Sequence, residues 1–269
     1  MDTPTPLPPA ISRIARWAFN VRDLDRAVGF YADALGFTVA SLTGERAQLT
    51  LGREAIDLVR QPEGAAYPGP QSANDPWFQH LAIAVADMDA AYARLAHHSP
   101  ASITRGGPQL LPPSTGSVTA YKFRDPDGHP LELSFVPGSD WLRTGASEGS
   151  PTRGIDHTAL AVSDLGASIA FYTGLGLRLD AHLVNQGPEQ ARLDGLRDPV
   201  VDIVVLQTPE AGPHIELLHY RSPAPPQPIA VTRCDIAATV TVFACSAGQD
   251  ASPAEFADPD GHRLRFILF

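Results

Sequence analysis

The chain has 269 residues, enough for one large or two ordinary domains around a substantial core. Its formal net charge of -10 and pI near 5.3 argue against a nucleic-acid or anionic-membrane partner, since either needs a basic face. Two cysteines, Cys234 and Cys245, cannot make a disulfide framework and read as reduced thiols.

The opening MDTPTPLPPA is acidic and proline-rich with no apolar run, so 1–10 reads as a flexible tail, neither signal peptide nor membrane anchor. A soluble, cytoplasmic protein is the expectation. ARWAFNVRDL, residues 15–24, then reads as a strand entering a helix. Asp23 is its N-cap, Leu24, Ala27, Val28 and Tyr31 its apolar stripe, and Gly36 its stop. RAQLTLG and AIDLVRQ follow as strands, and a Pro/Gly-rich joint spans 62–76.

A second unit opens with HLAIAVADM, capped by Asp87, and continues through AYKFRD and PLELSF; His97 and His98 end its exposed helix. After a joint at 137–154, DHTALAVSDLGASIAFYTGLG repeats the first pattern. Thr158, Leu160 and Val162 point one way, and His157, Ala159 and Ala161 the other. Asp164 is the cap, Leu165, Ile169 and Tyr172 the stripe, and PVVDIVVLQ and HIELLHY the later strands. Beyond SPAPPQP at 222–228, TRCDI offers a weaker fourth copy with Asp235 in the capping place. The turn DPDGH stands at 125–129 and 258–262, which puts His129 and His262 at turn tips. His182, His214 and His219 have no evident partner.

The four aspartates fall 64 to 77 residues apart, too long for a solenoid repeat and suited to a small α/β unit. The unit reads βαβββ. The fold class is therefore α+β, with four modules in two domains of curved mixed sheets. The first domain spans 11–136 (modules 11–61 and 77–136), the linker 137–154, and the second domain 155–269 (modules 155–221 and 228–269).

HTALAVSDLGASIAFYTGLG, HLAIAVADMDAAYARL, HIELLHY and FRDPDGHPLELSF resemble the vicinal oxygen chelate superfamily, in its fused four-module form. That family includes glyoxalase I, methylmalonyl-CoA epimerase, extradiol dioxygenases and bleomycin-resistance proteins. The resemblance implies paired modules around a metal, with ligands from the start of each first strand and the middle of each last strand. On that pattern module one offers Arg16 and Asp57, module two His80 and Glu132, module three His157 and Glu216, and module four Pro228 and Arg265. Pairing in chain order leaves two incomplete sites. Pairing two with three collects His80, Glu132, His157 and Glu216, and leaves Arg16, Asp57 and Arg265 as a salt-bridged plug. The crossed pairing, which fused four-module glyoxalases resemble, is expected. Ala159 and Ala161 beside His157, and Ala82 and Ala84 beside His80, would leave room for a substrate.

Two imidazoles and two carboxylates suit one divalent ion, Zn²⁺, Ni²⁺, Co²⁺, Mn²⁺ or Fe²⁺. The resemblance then implies a metal-dependent lyase or isomerase of the glyoxalase and epimerase type. It would act on a small chelating carbonyl substrate by enolate stabilisation, with Glu132, or else Glu216, moving the proton. One alternative is an Fe(II) extradiol-type ring-cleaving dioxygenase, because such members use two histidines and one carboxylate. The other is a metal-free small-molecule binding or resistance protein. Ala161 and Ala84 stand where glyoxalase I carries an arginine for the glutathione carboxylate, so a glutathione adduct fits poorly unless Arg143 or Arg153 substitutes. Monomer and homodimer both agree with a fused chain.

Overall fold

Modules one, two and three start from the same local chemistry. In the computed structural model, which describes residues 11–69, 71–139, 149–226, 231–245 and 255–268, a strand runs into a helix capped by an aspartate. Asp23, Asp87 and Asp164 accept from the backbone N–H of Arg26, Ala90 and Ala167, satisfying a donor that the first helical turn leaves free. Module one comprises β1 (Ile11–Val21), α1 (Leu24–Leu35), β2 (Thr38–Leu42), β3 (Arg46–Leu51) and β4 (Glu54–Arg60). Module two comprises β5 (Gln79–Val85), α2 (Met88–Ala96), β6 (Ala101–Ser102), β7 (Gln109–Leu110), β8 (Thr119–Arg124) and β9 (Pro130–Phe135). Module three comprises β10 (Thr152–Ala161), α3 (Leu165–Gly174), β11 (Arg178–Gln186), β12 (Val200–Gln207) and β13 (His214–Ser222), with a helix that the repeat did not announce, α4 (Pro188–Asp194), between β11 and β12. Module four contributes β14 (Val240–Cys245), β15 (Glu255–Ala257) and β16 (Arg263–Leu268).

The modules pair across the chain's midpoint. One sheet has the order β15-β16-β14-β1-β4-β3-β2, so modules one and four meet at the antiparallel β1–β14 pair. The other runs β11-β12-β13-β10-β5-β9-β8-β6, with β7 on β8, so modules two and three meet at β10–β5. This is a mixed α+β architecture of two curved sheets, mostly strand.

Module four corrects the sequence reading. Asp235 caps no described helix; its carboxylate closes a turn by accepting from Thr232 N at 2.7 Å, before the strand. Asp75 does the same for Ser72 N at 2.6 Å just ahead of β5. The register follows: Ala18 pairs with Val240 where Ala159 pairs with His80, so Val240, not Pro228, stands in the histidine's place. Pro228 itself lies outside the described residues, as does Arg143.

Side-chain bonds tie the two sheets together within each half of the chain. Tyr31 on α1 donates to Asp125 at 3.0 Å, and Tyr172 on α3 donates to Asp258 at 2.9 Å. Those aspartates also collect backbone N–H groups of their own DPDGH turns. His129 and His262 are therefore not exposed turn tips. Both are buried, and their Nε2 atoms donate to Asn20 O and Ala161 O at 2.8 Å. One apolar cluster, from Phe19 through Leu81 and Leu160 to Phe266, runs through all four modules on the helix side. The opposite faces carry the candidate polar side chains among smaller apolar clusters, Ala159, Val201 and Leu218 in one sheet and Ala18, Val240 and Val242 in the other.

Candidate metal centre

Strand register brings four of the expected residues together. Antiparallel β5 and β10 oppose His80 to Ala159 and His157 to Ala82. Parallel β9 then places Glu132 beside Ala82, and parallel β13 places Glu216 beside Ala159. Each alanine thus sits between a histidine and a glutamate, and its single methyl leaves the long side chains free to lean over it. His80 Nε2 and His157 Nε2 stand 3.3 Å apart; Glu132 Oε2 lies 3.4 Å from the first and Glu216 Oε2 3.6 Å from the second.

Two compact donor groups share His157: His80, Glu132 and His157, and His157, His214 and Glu216, each with ligand atoms within 4.8 Å of one another. His214, left unpartnered in the sequence reading, lies two residues before Glu216 on the same strand face and approaches its carboxylate at 3.5 Å. Asp156 accepts from His157 Nδ1 at 3.1 Å, which orients the ring so that Nε2 faces the other donors. His80 Nδ1 is buried without a hydrogen-bond partner.

These donors suit a divalent cation. Ligands held about 2.1 Å from a central ion at tetrahedral angles stand about 3.4 Å apart, close to the spacings found here. Buried imidazoles and carboxylates are the donor types that such ions take, and without a cation two buried carboxylates would repel each other.

The charges in the wall are sorted by burial and neighbours. Burial pushes the His80 imidazolium down, with Lys122 and His157 adding to it. His157 is raised to about 9 against its burial, by Glu216 and Asp156. Burial raises Glu132 despite Lys122 and His157, whereas Glu216, less deeply buried, is drawn down to about 2 by His157 and His214 against its own desolvation.

Lys122 is the group that the sequence reading missed most completely. It lies on β8 directly across from Glu132, 4% exposed, with Nζ 2.7 Å from Asp194 Oδ1 and 3.8 Å from Glu132 Oε2. Its one signal was position: between Tyr121 and Phe123, both core residues, it must face the other way. Asp194 ends α4 and gave no signal. That helix docks on module two: Thr104 Oγ1 donates to Leu193 O at 2.9 Å, and Arg105 N to Arg192 O at 2.9 Å. Gly195 follows in the left-handed region (φ 65°), where a Cβ would stand 2.7 Å from Ile103 O. A partly open cavity of about 600 Å³ lies over the donors, with Leu111, Leu193, Ile203 and Leu218 among its apolar walls and Arg53, Glu54 and Arg153 among its polar ones.

Among the described residues the other sheet holds no such centre. Arg16 Nε lies 2.6 Å from Asp57 Oδ2, Arg46 also pairs with that carboxylate, and Asp57 is fully buried beneath them. Arg265 does not join them, contrary to expectation; with Arg263 it pairs with Glu255 on the neighbouring β15. The plug is Arg16–Asp57–Arg46. Among the remaining histidines, His182 bonds Asp202 at 2.8 Å and His219 donates to Val162 O at 3.2 Å, so both have partners after all, away from the centre.

Comparison with known proteins gives the family and the fold. A family model described as Glyoxalase/Bleomycin resistance protein/Dioxygenase superfamily matches residues 13–133 and 154–246. A catechol-2,3-dioxygenase of Bacillus subtilis is 28% identical over 184 residues, 57% of this chain and 61% of that protein. A glutathione transferase FosA of Serratia marcescens is 29% identical over 139 residues, 52% of this chain and 90% of its own. In structure, glyoxalase I of Zea mays aligns with a TM-score of 0.62 at 18% identity, covering 96% of this chain and 92% of that one.

Proposed function

Because the chain belongs to the glyoxalase/bleomycin resistance protein/dioxygenase superfamily, we propose that it is a metal-dependent lyase or isomerase acting on a small molecule with neighbouring oxygens. The reading rests on one observation: His80, Glu132, His157 and Glu216 converge from modules two and three. His80, His157 and Glu132 would hold a divalent ion, with Glu216 as fourth ligand. When bound, such an ion supplies Lewis acidity to chelating oxygens.

The chain's own groups do the rest. Asp156 fixes the His157 tautomer. Glu132 is the base: it reaches His80 on one side and Lys122 on the other, so it keeps a cationic neighbour while taking a proton from the carbon beside a carbonyl. Glu216, held by His214, remains on the opposite flank. The apolar walls keep water from competing for that proton.

A second reading, ring cleavage with O₂, is favoured by the compactness of the His80–Glu132–His157 group and by the likeness to a catechol dioxygenase. Two assays on protein with measured metal content separate the readings. Solvent deuterium entering the carbon next to a carbonyl, with no oxygen consumed, supports the first; oxygen uptake with catechols supports the second. Protein that carries no stoichiometric metal and takes none up on reconstitution would sink both.

A further inference from the structure

Lys122 has more hydrogen-bonding capacity than the protein uses. An ammonium carries three N–H donors. Asp194 Oδ1 takes one at 2.7 Å, while Glu132 at 3.8 Å is an ion-pair neighbour beyond hydrogen-bond reach. Among the described residues no other acceptor is bonded to it, although the side chain lies in the cavity wall and is 4% exposed. Asp194, by contrast, is fully engaged: its second oxygen accepts from Gln190 at 2.7 Å and Tyr220 at 3.1 Å. It therefore anchors the lysine without absorbing all its donors.

The fold does not require a lysine at this place. Opposite Glu132 on β8 is Lys122; opposite Glu216 on β12, the equivalent place in module three, is Val205. The site is near-symmetric in its four candidate ligands and asymmetric in this cation. Leu111, Leu193 and Leu218 line the same cavity.

We propose that Lys122 is a specificity-determining residue whose ammonium takes an anionic oxygen of the ligand. The site then selects molecules with two neighbouring oxygens, one of them negatively charged, on an apolar body. A 2-oxo carboxylate and a catecholate share this chemistry; a neutral 1,2-diketone lacks it. The inference rests on the metal-centre reading, since a metal ion would take the neighbouring oxygen.

The test compares three probes by calorimetry on Zn²⁺-loaded protein, with zinc content measured in the same samples: phenylpyruvate, 4-methylcatechol and neutral 1-phenylpropane-1,2-dione. Phenylpyruvate arrives as an anion, while 4-methylcatechol becomes one by releasing a phenolic proton to the buffer as it binds. Wild type should bind at least one of the two tenfold or more tightly than the diketone, and which one identifies the source of the charge. Lys122→Met strands Asp194, so the double variant Lys122→Met/Asp194→Asn, which removes both charges, is the working comparison. It should keep its zinc and circular dichroism, bind the diketone as wild type does, and lose the anionic preference. Retention of that preference by the folded double variant, or its absence from wild type, overturns the role of Lys122. Wild-type protein that holds no zinc yet still prefers the anions overturns the metal centre and leaves the ammonium's role standing.

Discussion

Ala82 and Ala159 show how single residues define this centre. Each occupies the rung between a histidine and a glutamate, and neither could be much larger without filling the space that the donors lean into. The donors themselves carry the sharpest prediction. His80→Ala and His157→Ala should each lower bound metal from stoichiometric to near zero by elemental analysis, while Arg16→Ala, in the plugged site, should leave it unchanged. Metal retained in His80→Ala would show that the two histidines do not share an ion. A second prediction concerns Asp202, whose carboxyl is held low first by hydrogen bonds from Arg221 and further by His182. A carboxyl with a folded-state pKa below its unfolded value stabilises above that unfolded value and loses the contribution as pH falls through the folded one. Asp202→Asn should thus lower stability to urea by about 1 kcal/mol at pH 7, and the gap to wild type should close below about pH 4. A constant gap down to pH 3 would refute the assignment.

Elements were legible where a capping residue and an alternating strand coincided. Asp23, Asp87 and Asp164 announced three helices that the structure contains. Asp235 misled because an aspartate that closes a turn before a strand looks, in one dimension, like one that caps a helix after it. The four candidate ligand positions came from the family resemblance laid over the repeat, and the strand register brings those four side chains together. Lys122 and Asp194 were not legible, because their meeting depends on α4, an addition to module three with no α-helical counterpart among the described residues of the other modules. The recurring Phe-Tyr and DPDGH motifs had visible spacing but no visible purpose until Tyr31 met Asp125 and Tyr172 met Asp258. Tyr172→Phe leaves a buried Asp258 oxygen without its donor, which should cost about 1–3 kcal/mol in denaturant unfolding while metal binding persists. A neutral result would mean that the bond adds nothing to holding module three against module four.

At the scale of the molecule, the crossed pairing of sheets was the expectation with most at stake. The β1–β14 and β5–β10 contacts give it directly, although the reason lies in ligand loss that only the four modules together display. The Tyr–Asp bonds run the other way, joining module one to two and three to four. Each half of the chain is thus bound internally by its helices and externally by its sheets, and one apolar cluster passes through both.

Crossing has a consequence for synthesis. A nascent chain that has reached residue 139 has made β1 and β5 and neither of their antiparallel partners, so two strand edges wait open on the ribosome for residues still to be translated. A fragment ending there should self-associate on size-exclusion chromatography, edge to edge, because it lacks β14 and β10, which cover those edges in the full chain. Translation of β10 covers the β5 edge and, with β13, brings His157 and Glu216 to His80 and Glu132, whereas the β1 edge waits for β14 near the end of the chain.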